Sequence, residues 1–482
     1  MSNIAGTHSA AKLQRNLGLW HVIIIGLAYI QPMTVFDTFG LVSVDSLQHV
    51  PSSYIVALVA ILLTSISYGH MIRRYPSSGS AYTYAQKSIH PNVGFMVGWS
   101  SWLDYLLSPL VNIILAVIYL KALFPDVNHW VWVVALTSFM TIINIFGAKV
   151  VAYFNSWIVF VQIFIIGVFT YMLYHSLSMG INADGQLADQ ETLYQLWSLT
   201  PFWSELTSIG ALITGATLLC FSFTGFDSLS TLVEETKDAK KTLPKAIFLT
   251  ALLAGLIFIS STYIMQLFFP ADPSTYFTNI EETQPEILAF ANPIFAELMS
   301  NLNLTFLLIA GATFKSLVLT FAIVAVMASG ISAHAGVSRL MYVMGRDGVI
   351  NKKIFGHISP RFHTPTYNIL IAGAIALTAG FIGFETIAEL ISFGALTAFS
   401  FVNLSVIARY VLRDHRIKSI KEIISYLIIP FLGFVAVFLM WLDVSDIALK
   451  WGLSWAVIGV FYLAYKTGGF TRPAPQHNEF DD

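Results

Sequence analysis

The chain is poor in charge and nearly devoid of cysteine. Only 11% of its 482 residues are Asp, Glu, Lys or Arg, whereas an ordinary soluble domain carries roughly a quarter. One cysteine, Cys220, lies inside an apolar run, which excludes an intrachain disulfide. The sequence also lacks a Walker A run, a Gly-rich dinucleotide fingerprint, a zinc-spaced Cys/His set and a Gly-x-Ser-x-Gly elbow. It therefore reads as no enzyme, with no cofactor, no metal site and no nucleic-acid partner.

What the chain has is hydrophobicity. It is 56% hydrophobic and 14% aromatic, with a mean hydropathy of +0.71. This is the composition of an all-α polytopic membrane protein whose length is set by bilayer crossings. Apolar runs of about 20 residues mark about twelve spans: 18–45, 53–72, 93–123, 129–147, 151–177, 207–235, 245–269, 312–342, 366–383, 386–411, 424–442 and 450–466. A short amphipathic segment is expected near 283–300. Residues 1–17 and 467–482 read as polar tails, and the lipid bilayer is the first partner.

Loop charge sets the orientation. With the N terminus inside, 22 of the 25 Lys and Arg fall on cytoplasmic loops or span ends. Only Lys121, Lys315 and Lys450 fall outside, so the positive-inside rule places both termini in the cytoplasm. The long outer connections 178–206 and 270–311 contain no basic residue. They carry Asp184, Asp189, Glu191, Glu205, Asp272, Glu281, Glu282, Glu286 and Glu297. Acids are simply tolerated there, or they form an anionic funnel for cations.

Two spans are interrupted halfway across. The first reads "GLAYIQPMTVFDTFG", Gly26 to Gly40, with Gln31-Pro32 at mid-depth and Asp37 beyond. The sixth reads "CFSFTGFDS", Cys220 to Ser228, with Ser222, Thr224, Gly225 and Asp227 together. Proline removes an amide donor and glycine weakens a helix interior. Broken backbone survives at that depth only where protein or a hydrated cavity satisfies it. Interrupted spans five helices apart point to a transporter of two inverted repeats with its site at the breaks.

Four stretches resemble the amino acid–polyamine–organocation transporters: "FSFTGFDSLSTLVEETKDAKKTLPKAI" from Phe221, "YPSSGSAYTYAQ" from Tyr75, "SRLMYVMGRDGVI" from Ser338 and "FGAKVVAYFN" from Phe146. Within that superfamily "AYIQPMTVFDTFG", "GFMVGWSSWLDYL" and "MYVMGRDGV" are most similar to bacterial putrescine importers of the inner membrane. The resemblance implies a LeuT-like 5+5 fold with discontinuous helices 1 and 6. Residues 18–177 would form the first repeat, 178–206 an extracytoplasmic loop, 207–411 the second repeat and 412–466 two added helices. A bundle holding the broken helices would rock against a scaffold of helices 3, 4, 8 and 9. The implied activity is import of putrescine by alternating access, driven by the membrane potential or the proton-motive force, by a monomer or weak homo-oligomer.

The residues favour a diamine over an amino acid. Amino-acid carriers of this superfamily typically place a Gly-Ser-Gly-like run at the first break, whose amides bind the substrate carboxylate. Here Gln31-Pro32-Met33-Thr34 stands instead, and Pro32 has no amide hydrogen. Asp37, Asp104 and Asp227 lie within spans with no Lys or Arg at similar depth. Each such acid costs about 2.5–3.5 kcal/mol on insertion scales, which marks it as functional by default. Two carboxylates across a cavity suit a molecule with an ammonium at each end. Aromatics from the same helices suit its aliphatic middle.

The expected substrate residues are Asp227, Asp104, Asp37, Tyr29, Gln31, Trp102, Tyr105, Phe221, Ser222 and Phe226. Asp227 ranks first, although capping of the second half-helix is the alternative reading. Ser101, Asp104, Ser108 and Asn112 form a polar stripe on span 3. On span 10, Ser392, Thr397, Ser400 and Asn403 are further lining candidates. Glu234 and Glu235 suit an inner gate. Some superfamily members carry a helix-5 lysine in place of a sodium ion, and the matching position here is Gln162. Asp227, Asp104 and His334 are the candidate proton carriers, with a packed or cytoplasm-facing neutral histidine as the plainer reading of His334. The rival functions are a carrier of ornithine or lysine, a polyamine/amino-acid antiporter, and a membrane-embedded polyamine sensor.

Overall fold

A computed structural model describes residues 17–146, 148–182, 185–186, 197–269 and 305–475. The amphipathic segment expected at 283–300 and every outer-loop acid named above except Glu205 lie outside these residues. Among them, ten helices are long and apolar enough to cross a membrane, and one further pair forms a single span bent by 48°. The shorter apolar helix Thr366–Phe381 fills the remaining place. Span 1 is Leu19–Ile30 with Thr34–Asp45, span 2 is Val50–Arg74 and span 3 is Pro91–Leu123. Spans 4 and 5 are His129–Phe146 and Ala148–Ser178. Span 6 is Ile209–Phe223 followed by a 3-10 turn, Asp227–Glu234, and span 7 is Ala239–Phe268. Span 8, Thr305–Arg346, is longer than expected.

Span 9 combines the α-helix Thr366–Ala376 with a 3-10 stretch, Leu377–Phe381. The greater 3-10 rise brings this short element to about 26 Å, close to a bilayer core. Span 10 runs Phe384–Val406 and continues as a π-helix, Ile407–Arg413. Span 11 runs from Ile420 to Trp441 with a π-helical middle, and span 12 is Asp446–Thr467. Three elements were not expected: a buried helix Ser80–Ser88 between spans 2 and 3, a short helix Lys352–Phe355 between spans 8 and 9, and a hairpin pairing Ile181–Asn182 with Gly185–Gln186. Otherwise the described fold is helical.

Packing divides the spans into two groups. Spans 1, 2, 6 and 7 pack on one another, most extensively 2 against 7, where Gly255 sits against Leu58. Span 8 packs on spans 3, 4, 5 and 9, most extensively on span 3, and span 10 touches both groups. The central span 3 is 83% buried over its most apolar stretch, whereas spans 4, 11 and 12 are 22% buried and face outward. Span 8 also meets the first half of span 1, and span 5 meets spans 1 and 7, so the two groups share a continuous seam.

Candidate substrate site at the broken helices

Both interruptions break the backbone. Span 1 stops at Gln31, whose φ of 55° and ψ of 87° are left-handed. The chain resumes helix at Thr34. Every amide across this break is absent or already bonded. Gln31 N–H donates to Leu27 O at 3.0 Å and Thr34 N–H to Gln31 O at 2.8 Å. Pro32 has none, and Met33 N–H donates to Gln162 Oε1 of span 5 at 3.4 Å. On the other side, the Ser329 hydroxyl of span 8 donates to the Tyr29 carbonyl at 2.7 Å. No bare amide at Gln31–Thr34 remains to hold an anion.

Span 6 breaks at Thr224-Gly225. Gly225 has φ 107°, which favours glycine, and a Cβ there would drive into the Tyr29 ring. The two breaks therefore touch, with Tyr29 laid across Gly225. Just beyond it, Asp227 accepts from the Tyr105 hydroxyl at 2.8 Å and from Gly225 N–H at 3.3 Å. Both donors are neutral, so they satisfy hydrogen bonds without cancelling the charge. Phe226 rather than Asp227 stands at the N-cap of the following 3-10 turn, and no side-chain cap bond forms there.

Asp104 lies within electrostatic range of Asp227. Its Cβ is covered by Gly394 of span 10. Ser108 donates to the Asp104 carbonyl at 3.0 Å and makes only a 3.4 Å contact to the carboxylate. Pro109, inside span 3, removes the next amide. Tyr29 lies within interaction range of both acids and of Ser108. Asp104 and Asp227 are 3% and 2% exposed. None of the five ion pairs among the described residues involves Asp37, Asp104 or Asp227. The cluster is a pair of buried carboxylates walled by tyrosine, with no cation from the described residues.

Other expected residues fall around this cluster. Phe226 packs between Tyr68 at 5.8 Å and Phe399 at 5.1 Å, forming an apolar wall. Phe221 meets Phe384 edge-on at 5.8 Å, tying spans 6 and 10. Gln31 is buried at the break itself. Ser222 accepts from Tyr54, whose hydroxyl also meets Thr38 at 3.1 Å, so it belongs to the interface of spans 1, 2 and 6. Tyr68 and Tyr84 are near Asp227 and were not foreseen. Tyr84 lies in the quoted "YPSSGSAYTYAQ" stretch, which was the available signal.

Four residues are set apart from the acids. Asp37 bonds the Tyr119 hydroxyl near the far end of span 3. Asp104 and Tyr119 are 15 positions apart on that helix, about 22 Å at 1.5 Å per residue, so one short diamine does not span Asp37 and Asp104 together. Trp102 packs edge-on against Trp99, Trp455 and Phe355, in a cluster facing span 12. There Trp99 and Trp455 stack at 4.7 Å and exchange indole N–H bonds to each other's carbonyls, both at 2.8 Å. His334 bonds Ile369 O at 2.8 Å, inside the scaffold between spans 8 and 9. Gln162 touches the first break through Met33 rather than the acids.

Below the cluster the path narrows. Arg339 of span 8 clasps Glu235 at 2.9 and 3.1 Å, and Arg346 approaches Glu234 at 3.8 Å. Leu17 pairs with the backbone at Glu235 and Lys237, with 3.0 and 2.9 Å bonds. Between this closure and Tyr29 lies a cavity of about 30 Å³, room for water but not for a diamine.

Two broken helices that touch around buried acids define a membrane transporter of LeuT-like fold. The solved structure of a Na+-coupled sialic acid symporter in an outward-open, substrate-bound state shares this fold, with TM-score 0.54 at 13% identity over 96% of this chain and 92% of that one. The chain belongs to the amino acid permease family, whose profile matches residues 21–467. It is 48% identical to the low-affinity putrescine importer PlaP of Escherichia coli K12, over 99% of both chains. The branched-chain amino acid permease BcaP of Bacillus subtilis is 23% identical over 96% of this chain and 95% of its own.

Proposed function

We propose that this protein imports putrescine across a bacterial inner membrane, with both termini in the cytoplasm. Residues 18–177 and 207–411 act as its two inverted repeats. One observation carries the reading: Asp104 and Asp227 are buried together with neutral donors and no cation from the described residues. An ammonium supplies the missing charge, and the neighbouring Tyr29, Tyr105 and Phe226 receive an aliphatic chain. The likeness to PlaP supports the same substrate.

Transport follows from moving the bundle. The dication enters from the face opposite the N terminus, seats at Asp104 and Asp227, and leaves once Glu235 and Arg339 separate. At 100 mV, inside negative, a dication gains about 4.6 kcal/mol, more than a thousandfold accumulation. The membrane potential alone therefore suffices to drive accumulation. Ornithine and lysine are disfavoured because the amides from Gln31 to Thr34 are absent or bonded, leaving the substrate carboxylate no cradle there. The test is uptake of labelled putrescine into proteoliposomes against an excess of ornithine, cadaverine or spermidine. Putrescine accumulation resistant to ornithine supports the reading; uptake of ornithine with exclusion of putrescine overturns it.

A further inference from the structure

The inner closure contains two arginines of span 8, and they are partnered differently. Arg339 meets a single acid among the described residues, Glu235, at 2.9 Å. Arg346, the last residue of span 8, stands between two: Glu234 at 3.8 Å and its own neighbour Asp347 at 3.5 Å. The two acids sit on different elements. Glu234 ends the 3-10 turn of span 6. Asp347 is pinned on the other side, where the Tyr82 hydroxyl donates to its carboxylate at 2.9 Å and Gln86 donates to Tyr82 at 2.8 Å. Tyr82 in turn lies on span 3, since a Cβ on Gly98 would come within 2.8 Å of its ring. Asp347 and Tyr82 are 8% and 1% exposed, so water competes little for this anchorage.

We propose that Asp347 is a positioning residue for transport, a resident counterion that keeps Arg346 paired when Glu234 departs. The proposal rests on the putrescine reading and its inner closure. Opening toward the cytoplasm carries Glu234 away with span 6. The Arg346 side chain is 29% exposed, and a partly buried cation stripped of its only acid is costly. With Asp347 held at its side, Arg346 trades one carboxylate for another. In the closed form Asp347 shares the cation with Glu234, and in the open form it has the cation to itself. Only an interaction that differs between two states shifts them, and this one favours opening. Arg339 has no second acid among the described residues, so its pair with Glu235 is the lock and Arg346 is the pivot. Tyr82 acts through Asp347, fixing the carboxylate where Arg346 turns.

The test reads opening from the inside. Ala335 of span 8 lines the cavity of about 30 Å³ above the closure, too small to admit a maleimide until the closure parts. The native Cys220 is buried and gives little background. Maleimide labelling of the purified Ala335→Cys variant therefore reports opening. Adding Asp347→Asn should slow that labelling about three- to tenfold. It should lower kcat for putrescine uptake by the same factor, while the apparent KM does not rise. In the Glu234→Gln background the same substitution should change the rate less than about twofold, because Arg346 then has no partner on span 6 to be drawn from. A mere loss of packing at Asp347 would slow both backgrounds alike. Labelling that is unchanged or faster, or slowed equally in both backgrounds, overturns the proposal. Tyr82→Phe, which removes only the hydroxyl, covers poor folding of Asp347→Asn. Slowing that vanishes with Glu234→Gln supports the proposal, and any other pattern overturns it. If the unmodified protein takes up no putrescine at all, the proposed function falls first; if it does and labelling ignores Asp347, only the counterion role falls.

Discussion

Replacing Asp227 by Asn is the most discriminating single change. It keeps the size of the side chain and leaves an oxygen for the Tyr105 hydroxyl, now 2.8 Å away, but removes the negative charge. Truncating one partner of a buried, hydrogen-bonded charge pair costs about 2–5 kcal/mol of binding. That is a loss of roughly 30- to 4,000-fold in affinity for the dication. Folding is affected far less, because two terms oppose. Removing an unpaired intramembrane carboxylate relieves about 2.5–3.5 kcal/mol on insertion scales, while weakening acceptance from Gly225 N–H costs about 1–3 kcal/mol. The variant should therefore purify in normal yield with a melting midpoint close to the parent's. Equilibrium binding of labelled putrescine to the purified variant, alongside a thermal scan, reads both quantities. Parent-like affinity in the folded variant would refute the assignment of the charge pair.

Asp104→Asn should weaken binding at least tenfold, and the double variant should lose less than the two singles together, since the acids lie within electrostatic range of each other; strict additivity counts against a shared site. Gly225→Ala forces a side chain into the Tyr29 ring at φ 107°, so it should destabilise by about 1–3 kcal/mol and abolish uptake; a parent-like melting curve with full uptake contradicts the geometry. Arg339→Gln frees Glu235 from its 2.9 Å ion pair and should speed labelling of a Ser332→Cys probe from the cytoplasmic side; an unchanged rate means the pair is no gate. Putrescine uptake into proteoliposomes should also rise steeply with an imposed inside-negative potential, by about 4.6 kcal/mol at 100 mV for two charges, and a voltage-independent uptake excludes electrogenic entry.

The spans were legible because a bilayer demands long apolar runs: among the described residues eleven of the twelve expected spans meet that demand, counting the bent pair as one, and only Thr366–Phe381 is shorter. The breaks were legible for a local reason: Pro32 lacks a donor, and Gly225 allows a φ of 107°. Depth and azimuth were harder. Asp37 and Trp102 occupy the right spans but face Tyr119 and the Trp99–Trp455 stack. A span boundary uncertain by several residues cannot resolve a turn of 3.6. The helix Ser80–Ser88 was missed because serine and tyrosine carry it rather than an apolar run. The π-helical stretches Ile407–Arg413 and Ile424–Ile428 have no signature at a period of 3.6 residues. They meet where Tyr410 stacks on Tyr426 at 4.4 Å, a tertiary contact that local pattern does not encode.

The central claim is that paired buried carboxylates are matched by a two-headed amine. It is tested most directly by the ratio of affinities for putrescine and 1-aminobutane, measured on the parent and on the Asp104→Asn, Asp227→Asn double variant. The account predicts a strong preference for the diamine in the parent and a ratio near one in the double variant. An undiminished preference in the double variant would mean that the second ammonium is read elsewhere, and would contradict the account.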